Sequence, residues 1–102
     1  MLLCLQWRMA DIDIQHVPES NRYEARDGDD VVGLLAYETR GDVVVLTHTE
    51  VEPPAEGRGV GSGLARTALD DIRAGSKQVD PQCPFVAAWI DRHPDYGDLI
   101  AQ

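Results

Sequence analysis

The residues able to do chemistry fall at three places in the chain. The stretch Glu56-Gly57-Arg58-Gly59-Val60-Gly61-Ser62-Gly63 sets four glycines in strict alternation just before an apolar helical pattern. Glycine permits positive φ and lets the backbone approach a ligand without a β-carbon in the way. The N–H groups of the first helical turn then face that ligand with the positive end of the helix dipole behind them. Such a loop suits a phosphate or pyrophosphate, and the residues that would line it are Glu56 to Ser62 together with Val51, where the preceding strand ends. Cys83, between Gln82 and Pro84, stands where a second helix should begin, a place where the dipole favours a thiolate, so it is a candidate nucleophile. His48 lies three residues before Val51 and is a candidate base for taking a proton from an amine. Each has a plainer reading: a ligand-free turn, a small buried hydrophobe, a histidine satisfied within a sheet.

The elements that must position these residues are legible from periodicity. Ile12 and Ile14 alternate with polar neighbours up to Val17, Tyr23 and Ala25 continue the alternation to the turn signal Asp27-Gly28-Asp29, and Val31 to Tyr37 is a nearly continuous apolar run. Val43 to Val51 follows. Its apolar residues occupy both alternating sets, with Val43, Val45, Thr47, Thr49 and Val51 on one face and Val44, Leu46, His48 and Glu50 on the other, as in a central strand covered on both sides. Three antiparallel strands in meander order are expected before the glycine loop. Pro53 and Pro54 cannot donate to a ladder, so pairing should fail where this strand ends and open a gap beside the loop. Val60, Leu64, Ala68 and Ile72 recur every four residues, the stripe of a helix that Gly75 is placed to stop. After a helical crossover, Gln78 to Gln82 would pair parallel to the central strand. Pro84 suits the first turn of the second helix, His93-Pro94 ends it, and Asp95 to Ala101 reads as a last short turn. The class is α/β, with a mixed, mainly antiparallel sheet.

Composition bounds the possibilities further. The 102 residues suffice for one domain, expected over 11–102, with 1–10 as an N-terminal arm or a start-site extension. A net charge of −9, from 18 acidic and 9 basic residues, argues against nucleic-acid binding and favours cationic partners. No run approaches the roughly 20 apolar residues of a membrane span. The two cysteines, Cys4 and Cys83, have neither disulfide-framework nor zinc spacing, so no metal is expected and a reducing cytoplasm fits.

Two familiar phosphate loops fail at the glycine stretch. A P-loop ends in Gly-Lys-Ser/Thr, but Lys77 is the only lysine in the chain and lies beyond the helix. The dinucleotide fingerprint needs a third glycine three residues after the second, and no pairing of these alternating glycines provides it. Glu56-Gly57-Arg58-Gly59-Val60-Gly61 instead matches, at both glycines, the Q/R-x-x-G-x-G/A loop of acetyl-CoA-dependent acyltransferases. With Leu46-Thr47-His48-Thr49-Glu50-Val51, Pro81-Gln82-Cys83-Pro84-Phe85-Val86 and Arg92-His93-Pro94-Asp95-Tyr96, it resembles the GNAT superfamily of N-acetyltransferases, and within it the short, single-domain YjdJ-type branch. The likeness spans roughly residues 31 to 100.

The resemblance implies a reduced GNAT core with helices on the faces of its sheet. It implies acetyl-CoA with its pyrophosphate on the loop amides and its pantetheine arm in the gap beside the central strand, Cys83 beside the acetyl group, and an amine as acceptor. Glu56 departs from the pattern by standing where many members carry Gln or Arg. The extra helices and C-terminal hairpin that build an acceptor pocket in longer members have no counterpart in this sequence. The function expected is acetyl transfer to an amine, and the alternative is a CoA-binding module with little turnover.

Overall fold

A computed structural model describes residues 12–53 and 59–101. The N-terminal arm expected over 1–10 lies outside the described residues. Strand β1, Ile12–Val17, is followed by a 3-10 turn over Pro18–Ser20 and by Asn21 in the left-handed region, with φ of 53°. That reversal makes Arg22–Asp27 a strand of its own, β2, so four strands precede the glycine loop where three were expected. Strand β3 spans Asp30–Arg40 and β4 spans Val43–Val51. Two-residue turns join them, with Gly28 and Gly41 at φ of 64° and 60°, values that favour glycine. Helix α1, Val60–Ala74, then crosses to β5, Gln78–Pro81, and helix α2 covers Pro84–Arg92 before a 3-10 segment over Pro94–Leu99.

The sheet order is β1-β2-β3-β4-β5, antiparallel except for the parallel β4–β5 pair, as a helical crossover requires. The mixed, mainly antiparallel sheet with helices is therefore the observed architecture. Its core joins Leu35, Leu46 and Val79 of the sheet to Leu64 and Leu69 of α1 and Trp89 of α2, all fully buried. α1 stops where expected, but Gly75 has an ordinary φ of −88°; Ser76, at 59°, takes the left-handed turn.

One alternation differs from the sequence expectation. The β3–β4 register passes from Ala36 opposite His48 to Tyr37 opposite Leu46, skipping Thr47, whose hydroxyl donates to the Ala36 carbonyl at 3.2 Å. An extra residue in one strand shifts every later side chain by one position. Val44 and Leu46 consequently share the helix-covered face with Thr49 and Val51, while His48 and Glu50 share the opposite face with Val45. Val45 is only 1% exposed there, but His48 and Glu50 are more than half exposed, so that face is buried at one end of the strand alone and not along its length as the sequence implied.

Gly33 of β3 sets how closely α1 approaches. A β-carbon built on it would stand 2.9 Å from Val60 Cγ1 and 3.2 Å from the Glu50 carbonyl oxygen. Because Val60 opens α1, any side chain at 33 pushes the first helical turn off the sheet. Gly33→Ala is expected to destabilise the protein by about 1–3 kcal/mol through this overpacking, read as a lower urea midpoint with unchanged slope.

On the face away from α1, Glu24 is 3% exposed and its carboxylate takes contacts of 2.6 Å from both Arg22 and Arg26. Hydrogen bonds from Arg26, then from Arg22, hold this carboxyl below the usual glutamate range despite its burial. A lowered folded-state value means that the stabilisation is complete above the unfolded value, about 4.3, and fades as pH falls through the folded one. The stability gap between wild type and Glu24→Gln should therefore be full at pH 7 and close below about pH 4, as measured by urea unfolding across the series.

Candidate functional site

The geometry begins where β5 runs out of donors. Val43 to Leu46 pair with Gln78 to Pro81, and Cys83 N–H donates to the Leu46 carbonyl at 2.9 Å. Gln82 spends its N–H locally on Asp80, while Pro81 and Pro84 have none to give. Nothing remains on this side to pair with Thr47 and the residues after it. The strands part there, four residues earlier than the Val51 end expected from Pro53 and Pro54. β4 meanwhile stays paired to β3 as far as Val51 opposite Gly33, and Glu52 N–H still reaches the Val32 carbonyl. The edge of β4 from Thr47 to Val51 is thus a strand edge facing a gap.

Both helices open onto that gap. Phe85 of α2 lies against Gly61 of α1, and one turn further along each helix the Arg66 guanidinium lies 5.3 Å from the centroid of the Trp89 ring. The helices therefore run parallel, with both N-termini at the end of the sheet where the strands separate. α1 is capped by Gly59 at φ of 79° and ψ of 13°, with no side-chain cap, and its first intrahelical bond runs from Gly63 N–H to the Gly59 carbonyl at 2.9 Å. The amides of Val60, Gly61 and Ser62 precede that bond and have no intrahelical acceptor, the arrangement that receives an anion. Nothing crowds a β-carbon at Gly59, so glycine is required there by the left-handed backbone alone. Glu56, Gly57 and Arg58 lie outside the described residues.

Cys83 is the residue before α2, in extended conformation, and its carbonyl accepts from Ala87 at 3.0 Å. Its side chain does not cap the helix. The sulfur, on a residue 4% exposed, sits 3.2 Å from the hydroxyl of Thr49 across the gap. Thr49 is the partner that the sequence reading missed. Its signal was present, since a strand residue two positions from Val51 must point to the same side as Val51, but the skipped Thr47 concealed which face that was.

His48 goes the other way. Adjacent strand residues face opposite sides, so its imidazole lies on the face away from Cys83, with Nε2 2.7 Å from the Glu50 carboxylate and both side chains more than half exposed. The structure brings Cys83, Val51, Val60, Gly61 and Ser62 to one gap and sets His48 behind it. Tyr96 donates to Asp70 at 2.7 Å, and that bond holds its phenol above the ordinary value, with burial adding to the effect. His93 stacks on Trp89 and His16 bonds the Tyr37 hydroxyl, both as packing groups. Among the described residues no cluster could hold a metal ion, and no helix is long and apolar enough to cross a membrane.

A family model for the GCN5-related N-acetyltransferase matches residues 22–99. The chain belongs to that family. A GCN5-like candidate N-acetyltransferase from Staphylococcus aureus shares the acetyltransferase fold with a TM-score of 0.71 at 18% identity, over 90% of each chain. A candidate acetyltransferase of the GNAT family from Desulfovibrio desulfuricans gives 0.53 at 21% identity, and an IAA acetyltransferase from Bacillus cereus gives 0.50 at 25%. Each of these two matches over 57% of this chain and 40% of its own length. No curated protein matches the chain.

The Thr49–Cys83 contact generates a test of its own. The hydroxyl held 3.2 Å from the sulfur fixes where the sulfur points in the gap. Thr49→Val, which keeps the shape but removes the hydroxyl, should change the rate of iodoacetamide alkylation of Cys83, whereas Thr49→Ser should stay near wild type. Equal rates in all three proteins would make the contact packing only.

Proposed function

We propose that this acetyltransferase domain uses acetyl-CoA to acetylate an amine. The observation that carries the reading is the common end of the two helices, where the amides of Val60, Gly61 and Ser62, which have no intrahelical acceptor, overlook the same gap that holds Cys83. Uncapped amides at a glycine-opened helix suit a pyrophosphate, and Glu56, Gly57 and Arg58 continue that loop in sequence. The unpaired edge of β4 from Thr47 to Val51 suits a linear chain bearing amides, which would pair with it as a further strand. Acetyl-CoA supplies an activated acetyl thioester at the end of such a chain.

Within this reading Cys83 is the nucleophile. Its sulfur forms a bond to the acetyl carbon as the carbon–sulfur bond to CoA breaks, and the Cys83 proton leaves with the CoA thiol. Thr49 orients the sulfur through its 3.2 Å contact. The acceptor amine then bonds to the acetyl carbon, loses a proton and releases Cys83. The net charge of −9 favours a cationic acceptor, which gives up its ammonium proton to solvent before attack. A cytoplasmic setting fits a nucleophile that must stay reduced.

Two variants test the reading. Gly59→Val, strained at a φ of 79° whatever the space around it, should weaken acetyl-CoA binding at least tenfold in calorimetry without unfolding the protein. Cys83→Ala should bind acetyl-CoA normally but lose transfer to amines. Wild type given acetyl-CoA without acceptor should carry one acetyl group on the peptide containing Cys83. An unmodified peptide with a fully active Cys83→Ala variant would show that the amine attacks the thioester directly. CoA binding with no turnover on any amine would establish the binding module.

A further inference from the structure

Phe85 is the most exposed large hydrophobic side chain among the described residues, 38% exposed, although α2 buries Val86, Trp89 and Ile90 completely or nearly so. It is the second residue of α2 and stands two positions after Cys83. A β-carbon built on Gly61 would fall 2.8 Å from Phe85 Cζ and 3.2 and 3.4 Å from its two Cε atoms, so the tip of the ring occupies the space that the missing side chain of Gly61 leaves free. One edge of the ring therefore touches the turn whose amides await an anion. Its backbone belongs to the turn that begins at Cys83. An apolar ring left open to solvent between an anion site and a thiol has a third of its surface to offer and nothing among the described residues to cover it.

We propose that Phe85 is a positioning residue for the acyl donor, its exposed ring face forming the wall along which the donor's arm runs from the phosphate end at α1 to the sulfur at Cys83. The inference rests on the acetyl-CoA reading above and adds to it the side chain that fixes the arm's path. Gly61 has a part in this, because its missing side chain leaves room for the ring. The contact is apolar, so it recognises the methylene stretches of the arm and is indifferent to the nucleotide.

That difference decides the experiment. Calorimetry would compare CoA with 3′-phosphoadenosine 5′-diphosphate, which keeps the nucleotide and its phosphates but lacks the arm, on wild type, Phe85→Ala and Phe85→Leu. Removing an aromatic face from the arm should weaken CoA binding by about tenfold in Phe85→Ala. Binding of the truncated nucleotide should change less than twofold, and Phe85→Leu should recover most of the loss. Equal losses for both ligands would show that the ring only supports the first turn of α1, and no loss for either would show that the arm does not pass it; both results overturn the inference while leaving acetyl-CoA binding standing. If wild type binds neither ligand, the acetyl-CoA reading falls and the inference falls with it. Because the ring is exposed, Phe85→Ala is expected to melt within a few degrees of wild type, and Phe85→Leu keeps the comparison intact should it not.

Discussion

The parting of β4 from β5 is the constraint on which the rest of this molecule depends. It follows from backbone donors. Pro81 and Pro84 have none, Gln82 uses its own on Asp80, and Cys83 makes the last bond to Leu46. A parallel pair is held by evenly spaced bonds, and once three of four consecutive residues offer nothing across the gap, the strand must leave. Leaving at that point, it turns directly into α2 through Pro84, whose missing N–H is harmless in a first helical turn. The same four residues therefore end the sheet, start a helix and place a thiol at the opening.

The second consequence concerns how the two helices are held. α1 can lie low over β3 only because Gly33 has no side chain, and α2 can lie close to α1 only because Gly61 has none. Two absent β-carbons on different elements draw both helix N-termini to the edge of one gap. Interactions further down the helices, Arg66 over Trp89, Tyr96 to Asp70 and Arg73 to Asp98, fix the far ends and leave the near ends open. The side-chain interactions that tie the helices together lie away from the gap, and the amides of Val60, Gly61 and Ser62, which have no intrahelical acceptor, lie beside it.

Much of this was legible in the chain. The strand runs of β1, β3 and β4, the stripe Val60, Leu64, Ala68 and Ile72, the crossover to a parallel strand and the second helix at Pro84 all appear where local periodicity placed them. The errors came from features that periodicity cannot carry. Pro18 to Asn21 held a full chain reversal in four residues, so two strands read as one. The skipped residue at Thr47 exchanged the faces of β4. Gly33, in a strand rich in valine and leucine, gave no local sign that it faced a helix about thirty residues later.

By itself the sequence determined the element types and the family of the fold, because these depend on short-range spacing of apolar residues, glycines and prolines. It also marked Cys83 and His48 as the groups with chemistry available. Only the tertiary structure decided that they stand on opposite faces, that Thr49 is the neighbour of the thiol and that Phe85 lies between the thiol and the amides of α1. Those facts depend on register and on the contact of elements distant in the chain. A one-residue shift in a strand reverses every side chain beyond it, and no pattern within the strand records that the shift has occurred.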